Sequence, residues 1–210
     1  MAMDYFTKWA KAEALANIRD ADVKKFVWRN IVTRFVVLES LVSENGLQFD
    51  SKAFREFCGS LGITNRYLIP VYPQSNGQAE ATNKAIVNGL KRRLEGAKGG
   101  WADELPSVLW VYRTTPRRST GETPFSLTYG VEAVILVEVN LCSARVSGFS
   151  PTENSEFLMK QLSMLEEHWE SATIHLVEYQ QRLARRYNKD VRKRAFGVGD
   201  LVLRKVMGNT

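Results

Sequence analysis

The sequence predicts an α/β domain followed by a long helical extension. In the first half of the chain, short apolar segments that suit strands alternate with helical patterns, and this alternation is typical of layered α/β folds. After residue 150, apolar residues recur four and three positions apart, which predicts the extension. A chain of 210 residues with 44% hydrophobic content is long enough for one core-bearing domain and an appendage.

Two strands and a helix are expected at the start of the chain. The first strand covers Met1 to Phe6, and the second, over Thr7 to Leu15, follows a tight connection. Asp20 is expected to cap the helix, whose apolar residues recur at helical spacing. Those apolar residues are Val23, Phe26, Val27, Ile31 and Phe35.

A strand, a helix and another strand follow in that order. The strands are expected over residues 38–43 and 63–71. Asp50 or Ser51 caps the helix between them, and Gly62 ends it.

The stretch 72–84, Y-P-Q-S-N-G-Q-A-E-A-T-N-K, predicts a turn that leads into a helix. Asn76 is the expected cap, and the helix runs to about residue 97. Glu80 then lies in the first turn, where the helix dipole favours an ionised carboxylate. Further helices are predicted from Trp101 to Tyr112 and from Pro124 to Tyr129.

The extension begins with a predicted capping box over Ser150 to Glu153, with Pro151 at the first helical position. Its apolar residues keep a period of 3.5, which favours a coiled-coil seam over 152–187. A helix that packs back on its own core explains the same pattern equally well. The seam residues are Leu158, Leu162, Leu165, Trp169, Ala172, Leu176, Tyr179 and Leu183.

The net charge of +6 and pI near 9.4 indicate a polyanionic partner. Nine Lys and Arg residues lie between positions 176 and 206, against three acidic residues, so the whole excess falls in this tail. Cys58 and Cys142 are too few for a disulfide framework or a zinc site, which indicates a reducing compartment. His168 and His175 are seven apart, which is not zinc-ligand spacing. No signal peptide or membrane-spanning run is recognised, so neither secretion nor a membrane partner is expected.

Three carboxylates stand at predicted strand or helix ends: Asp4, Glu44 and Glu80, with thirty-five residues between the last two. Around them lie D-Y-F-T-K-W, N-G-L-Q-F and the stretch 72–84, followed by L-K-R-R-L, W-x-x-E-L-P-x-x-L-W-x-Y-R-T-T-P, T-P-F-S-L-T-Y-G and F-x-V-G-D-L-V-L-R-K. This pattern resembles the catalytic core of retroviral-type integrases, and most closely that of gypsy-type LTR retrotransposons.

The resemblance implies an RNase H-like mixed sheet flanked by helices, and DNA 3′-end processing and strand transfer as the activity. Such chemistry uses two Mg²⁺ or Mn²⁺ ions held by carboxylates. Asp4 would bridge both ions, and Glu44 and Glu80 would each hold one. The expected partners are DNA and further copies of the chain, without a small-molecule substrate, in the nucleus or in a cytoplasmic particle.

Two groups of residues are expected to contact DNA. The resemblance places Asn83 and Lys84 beside the site, with Lys91 further along the same helix, although a lysine at this spacing is equally explained as a solvated helix residue. The second group is in the basic tail: Arg182, Arg185, Arg186, Arg192, Lys193 and Arg194.

The chain also departs from the family. Glu44 stands where the family has aspartate, and the strand before Asp4 is expected to be truncated. The expected domains are the core over 1–148, a helical linker over 149–194 and a stub of a small C-terminal barrel over 195–210. We therefore expect a degenerate integrase with impaired chemistry. The alternative is an inactive nucleic-acid-binding relic or scaffold, and an RNA-cleaving nuclease on the same fold is less favoured.

Overall fold

The computed structural model describes residues 1–35, 37–68, 77–95, 100–135, 143–189, 197–199 and 201. The chain divides into two compact units, Met1–Arg113 and Thr114–Thr210. The expected division into domains at residues 148 and 194 stays a prediction.

The described residues of the first unit contain two short two-stranded sheets. Strands β1 (Ala2–Met3) and β2 (Ala10–Lys11) pair antiparallel, with Ala2 opposite Lys11. Strands β3 (Ser40–Ser43) and β4 (Thr64–Tyr67) pair in parallel. All four lie where strands are expected. Strands β1 and β2 are shorter than expected, because Thr7 and Lys8 form the turn between them.

Helix α1 (Asp20–Val27) continues into a π-helical turn over Trp28–Val32. The expected cap at Asp20 is wrong by one position: Arg19 is the N-cap residue, and its backbone N–H donates to the Asp22 carboxylate at 3.2 Å. Phe35 was also expected on the buried face, but it lies beyond the helical segment and is 41% exposed.

Helices α2 (Leu47–Asp50) and α3 (Lys52–Ser60) follow β3. Of the two candidate caps, Ser51 caps α3, since its hydroxyl accepts from the Phe54 backbone N–H at 3.1 Å. Gly62 follows α3 with a positive φ of 71°, as a helix-ending glycine should. The first buried cluster of this unit contains Val23, Phe26, Val27, Ile31, Phe54, Cys58 and Ile63.

Helices α4 (Gly77–Leu94) and α5 (Trp101–Arg113) pack against each other. Gly89 permits their close approach, because a Cβ added there would lie 2.8 Å from Val108 Cγ1. The expected cap Asn76 lies outside the described residues. The second buried cluster contains Ala10, Ile86, Leu105, Val108, Leu109 and Tyr112.

The described helices of the second unit are α6 (Pro124–Tyr129), α7 (Ala144–Ser147), α8 (Pro151–Ser163) and α9 (Leu165–Asn188). The Thr123 hydroxyl caps α6 by accepting from the Ser126 backbone N–H at 2.9 Å, and Gly130 ends it with φ 74°. Ser150 occupies the N-cap position of α8 as expected, but its side chain makes no capping hydrogen bond, so that part of the predicted capping box is wrong.

The extension is broken at Met164 and packs back on its own unit near the break. The Trp169 indole donates to the Leu127 carbonyl at 2.8 Å, and Ala172 is fully buried. Leu158 and Leu183, at the two ends of the heptad pattern, are 37% and 48% exposed. Intramolecular packing therefore accounts for the middle of the pattern, and a coiled coil stays a prediction for its ends.

Within the described part of the chain, the helices are too short or too polar to cross a bilayer.

Candidate functional site

The three carboxylates singled out from the sequence lie at the ends of three different elements. Asp4 follows β1, Glu44 follows β3, and Glu80 is in the first turn of α4. All three residues are exposed.

The Asp4 carboxylate closes the turn between β1 and β2. Its Oδ1 accepts from the Thr7 backbone N–H at 2.7 Å and from the Thr7 hydroxyl at 2.6 Å. The Asp4 backbone N–H donates to the Trp9 carbonyl at 2.9 Å. An aspartate that bonds the backbone a few residues ahead is a common turn-forming arrangement, so one oxygen of Asp4 already has a structural role.

Residues of strand β1 pack near the elements that carry Glu44 and Glu80. Its Ala2 packs against the first buried cluster, as does Leu41 of β3, the strand that leads to Glu44. Its Met3 sulfur accepts from the Thr82 hydroxyl of α4 at 2.9 Å, and that hydroxyl lies 3.0 Å from Tyr112 Oη. The fold therefore brings the three elements that carry the carboxylates to one strand.

The side chains themselves do not converge on a metal site. Among the described residues, no group of three or more His, Cys, Asp or Glu side chains is placed to hold a metal ion. Gln78 and Thr82 of α4 face the β1–β2 hairpin. At 100° per residue, Glu80 lies about 160° around the helix from either of them. The catalytic and metal-binding roles of the three carboxylates stay predictions.

The neighbourhood of Glu44 is held by side chains that connect the ends of β3 and β4. The Asn45 amide donates to the Leu68 carbonyl at 2.9 Å. The Asn65 amide donates to Tyr67 Oη at 2.9 Å. Burial raises the pKa of Tyr67, and a hydrogen bond with Asp50 raises it further, so this phenol stays neutral at physiological pH.

The outer face of α4 carries the residues expected to contact DNA in the core. Asn83, Lys84 and Lys91 are exposed, whereas Thr82 and Ile86 are buried; Lys84 and Lys91 lie on the side of the helix away from these two. Lys91 is also in the last turn, where a cation is favoured by the helix dipole whatever its function.

The basic end of α9 is a second exposed surface. Arg182, Arg185 and Arg186 are spaced three and four apart, so they share one side of the helix. The other three tail residues expected to bind DNA, Arg192, Lys193 and Arg194, lie outside the described residues.

Lys8 is a residue that sequence reasoning did not select. It is only 6% exposed, and its ammonium donates to the Tyr5 carbonyl and to Gln78 Oε1. Burial lowers the pKa of Lys8, and the nearby Asp4 charge opposes this shift. A lysine next to a turn is usually solvated. Apart from its place in the motif D-Y-F-T-K-W, nothing in the local sequence predicts that Lys8 is buried.

Retroviral polyproteins are similar to this chain over much of its length. The Gag-Pol polyprotein of avian reticuloendotheliosis virus is 27% identical over 203 residues, which are 97% of this chain and 17% of the viral protein. That of woolly monkey sarcoma virus is 33% identical over 135 residues, 64% of this chain and 8% of the viral protein. This chain thus spans less than a fifth of either relative. No protein-family model matches it.

Solved integrase cores share the fold. The catalytic core domain of BIV integrase is 21% identical with a TM-score of 0.51, over 60% of this chain and 80% of that one. The HTLV-2 integrase catalytic core domain, solved with magnesium in a trimeric form, is 20% identical with a TM-score of 0.51. The match covers 59% of this chain and 79% of that one. A third similar structure is a chain of a simian T-cell lymphotropic virus intasome, solved with the PP2A regulatory subunit B56 gamma. It is 20% identical with a TM-score of 0.55, over 59% of this chain and 45% of that one.

This chain has the fold of retroviral integrase catalytic cores. Its sequence is similar to that of retroviral Gag-Pol polyproteins. The expected RNase H-like α/β fold is confirmed, although the described strands form two short two-stranded sheets. Its assignment to the gypsy type and its degeneracy stay predictions.

Proposed function

We propose that this integrase core binds DNA and processes and joins DNA ends, with chemistry impaired at Glu44. The observation that carries the proposal is the placement of Asp4, Glu44 and Glu80. All three are exposed, and they lie at two strand ends and a helix start in an integrase-type fold. The sequence similarity to Gag-Pol polyproteins supports the same function.

The three carboxylates offer the oxygen donors that Mg²⁺ and Mn²⁺ prefer. When bound, two such ions would activate the attacking oxygen and stabilise the leaving one. The HTLV-2 core was solved with magnesium. In this chain the donor chemistry fits a divalent ion, but the side chains need to rearrange before three of them share one site.

Glu44 limits the rate in this proposal. Relative to an aspartate, its side chain has one more methylene, which moves the carboxylate by about 1.5 Å. A misplacement of about 1 Å costs on the order of a hundredfold in rate. Mg²⁺ demands near-ideal octahedral geometry, so the activity should be higher with the more tolerant Mn²⁺.

Both basic surfaces support DNA as the partner. The side chains on the outer face of α4 and at the end of α9 are exposed. A contact with a DNA phosphate requires a positive charge on a long side chain, but it does not require exact geometry. One similar structure is a chain of an intasome, which agrees with a nucleoprotein role.

Apolar side chains on α8 and α9 support self-association. Met159, Leu162, Ile174 and Val177 are between 45% and 73% exposed. Large exposed apolar side chains on paired helices are typical of protein interfaces. A second copy of the chain is the proposed occupant, in line with the trimeric form of the HTLV-2 core.

The second candidate is a DNA-binding scaffold without chemistry. It is favoured by the hydrogen bonds that engage Asp4 with Thr7 and by the absence of an assembled three-carboxylate group among the described residues.

An end-nicking assay separates the two candidates. End-labelled duplex DNA is incubated with the protein in Mg²⁺ or Mn²⁺, beside an RNA–DNA hybrid of the same sequence and the Glu80→Gln variant. The integrase proposal expects slow, Mn²⁺-stimulated nicking and joining of DNA that Glu80→Gln removes. DNA binding without any nicking in either metal supports the scaffold, and preferential cleavage of the hybrid supports an RNA nuclease.

A further inference from the structure

Lys8 connects the turn that carries Asp4 to the helix that carries Glu80. Its ammonium donates to the Tyr5 backbone carbonyl, one residue after Asp4. It also donates to Gln78 Oε1 at 2.5 Å, two residues before Glu80. The Lys8 side chain additionally covers the Tyr5 ring, with Nζ 4.6 Å from the ring centre. Within the first unit this one side chain joins residues seventy positions apart in sequence.

The backbone at Lys8 has an unusual conformation that supports this role. Its φ is 61°, and among the described non-glycine residues it is the one with a positive φ. Residues with a side chain avoid this region unless their surroundings hold them there. A turn without specific demands would favour glycine at this position. The residue that adopts this conformation is only 6% exposed.

The ammonium group matches its environment. Lysine carries three donors on a long flexible stem, so one residue can reach both the carbonyl next to its own turn and a side chain on α4. Its two acceptors, the Tyr5 carbonyl and Gln78 Oε1, are neutral oxygens, whereas Asp4 Oδ1 accepts a hydrogen bond from Thr7. Burial lowers the pKa of Lys8 despite the opposing effect of the nearby Asp4 charge, in line with a largely enclosed ammonium.

We propose that Lys8 is a positioning residue that fixes the first turn of α4, and with it Glu80, against the Asp4 turn. The meaning for catalysis rests on the proposed function, but the positioning itself is a property of the fold. Lys8 would thereby set the position that the Glu80 carboxylate has before a metal ion binds. Lys8 itself touches no reacting group.

Hydrogen exchange of α4 tests this proposal without any activity assay. The amides of residues 81–84 donate to the carbonyls of residues 77–80, so they report the order of the first turn. Lys8→Met removes the ammonium and keeps the stem. It should speed exchange at residues 81–84 by about tenfold, the expected effect of losing a hydrogen bond to a charged donor. Exchange in the second half of α4 and in α3 should stay unchanged.

Gln78→Ala removes the other partner from the helix side and should speed exchange at the same amides. The double variant with Lys8→Met should be no worse than either single change, because the two residues form one interaction. Lys8→Arg keeps a charged donor of similar length, so it should restore much of the protection.

Thr7→Ala is the matched control within the same turn. It removes the hydroxyl bond to Asp4 and leaves the Lys8–Gln78 contact in place. If Lys8 only stabilises the hairpin, Thr7→Ala and Lys8→Met will give the same exchange pattern, and the proposal is wrong. It is also wrong if Gln78→Ala leaves residues 81–84 fully protected, a result that stands even if Lys8→Met fails to fold. A negative nicking assay has no bearing on either outcome.

Discussion

The carboxylates of the site and the basic surfaces are both exposed, yet they make different demands on the structure. Asp4, Glu44 and Glu80 depend on an arrangement that is correct to about 1 Å, whereas phosphate contacts add their effects over flexible side chains. A change such as aspartate to glutamate at position 44 therefore harms chemistry much more than binding. The comparison teaches that, under the proposed function, the chain should keep its affinity for DNA after losing most of its rate.

The largest effect should come from the basic end of α9. Replacing Arg182, Arg185 and Arg186 together by Gln removes three charges from one helix side. We expect the slope of log affinity against log salt to fall by about 2.7, and the affinity to fall about a hundredfold at low salt. Filter binding or fluorescence anisotropy across a salt series measures both quantities.

A charge-matched control comes from two other exposed surfaces. Lys52→Gln, Arg55→Gln and Arg66→Gln together remove the same charge from α3 and β4. If this variant weakens DNA binding as much as the α9 variant, net charge explains the affinity and the α9 surface has no special role.

Self-association should strengthen binding to long DNA by presenting several basic surfaces at once. Leu162→Glu puts a charge at a 53% exposed seam position, so it should dissociate oligomers in sedimentation analysis and leave the melting temperature within a few degrees. Leu176→Glu alters a half-buried position and should lower the melting temperature by about 5 °C or more. If the unaltered chain is monomeric at high concentration, the seam is wholly intramolecular and this prediction fails.

The smallest effect should come from the outer face of α4. Lys84→Gln removes a single exposed charge, so the salt slope should fall by about 0.9 or less, with about a tenfold loss of affinity at most. Asn83→Ala beside it changes no charge and should leave the slope unaltered. A larger loss for Lys84→Gln than for the three α9 arginines would move the main DNA surface to the core.

The sequence predicted elements whose signals are local. Ser51 caps its helix with a side-chain oxygen, and Gly62 and Gly130 end theirs with positive φ. These outcomes follow from the chemistry of a few adjacent residues. The integrase-type fold was also predicted, because motifs spread over the whole chain supported it.

The sequence did not predict features that depend on distant contacts. Lys8 is buried where Gln78, seventy residues away, accepts a hydrogen bond from its ammonium. The heptad pattern continues across Met164, but the helix breaks there, and α9 contacts α6 through Trp169. The arrangement of the three carboxylates is of the same kind, since the residue types indicate the chemistry and only the packing decides whether they meet.

The central claim is that Glu44 limits a site that otherwise has the residues for catalysis. Its most direct test is Mg²⁺-dependent nicking and joining of end-labelled DNA by the unaltered chain, by Glu44→Asp and by Glu44→Asp with Glu80→Gln. We expect Glu44→Asp to raise the rate on the order of a hundredfold, and the added Glu80→Gln to abolish it, with DNA affinity unchanged throughout. Robust Mg²⁺-dependent activity of the unaltered chain that Glu44→Asp does not increase would contradict the account.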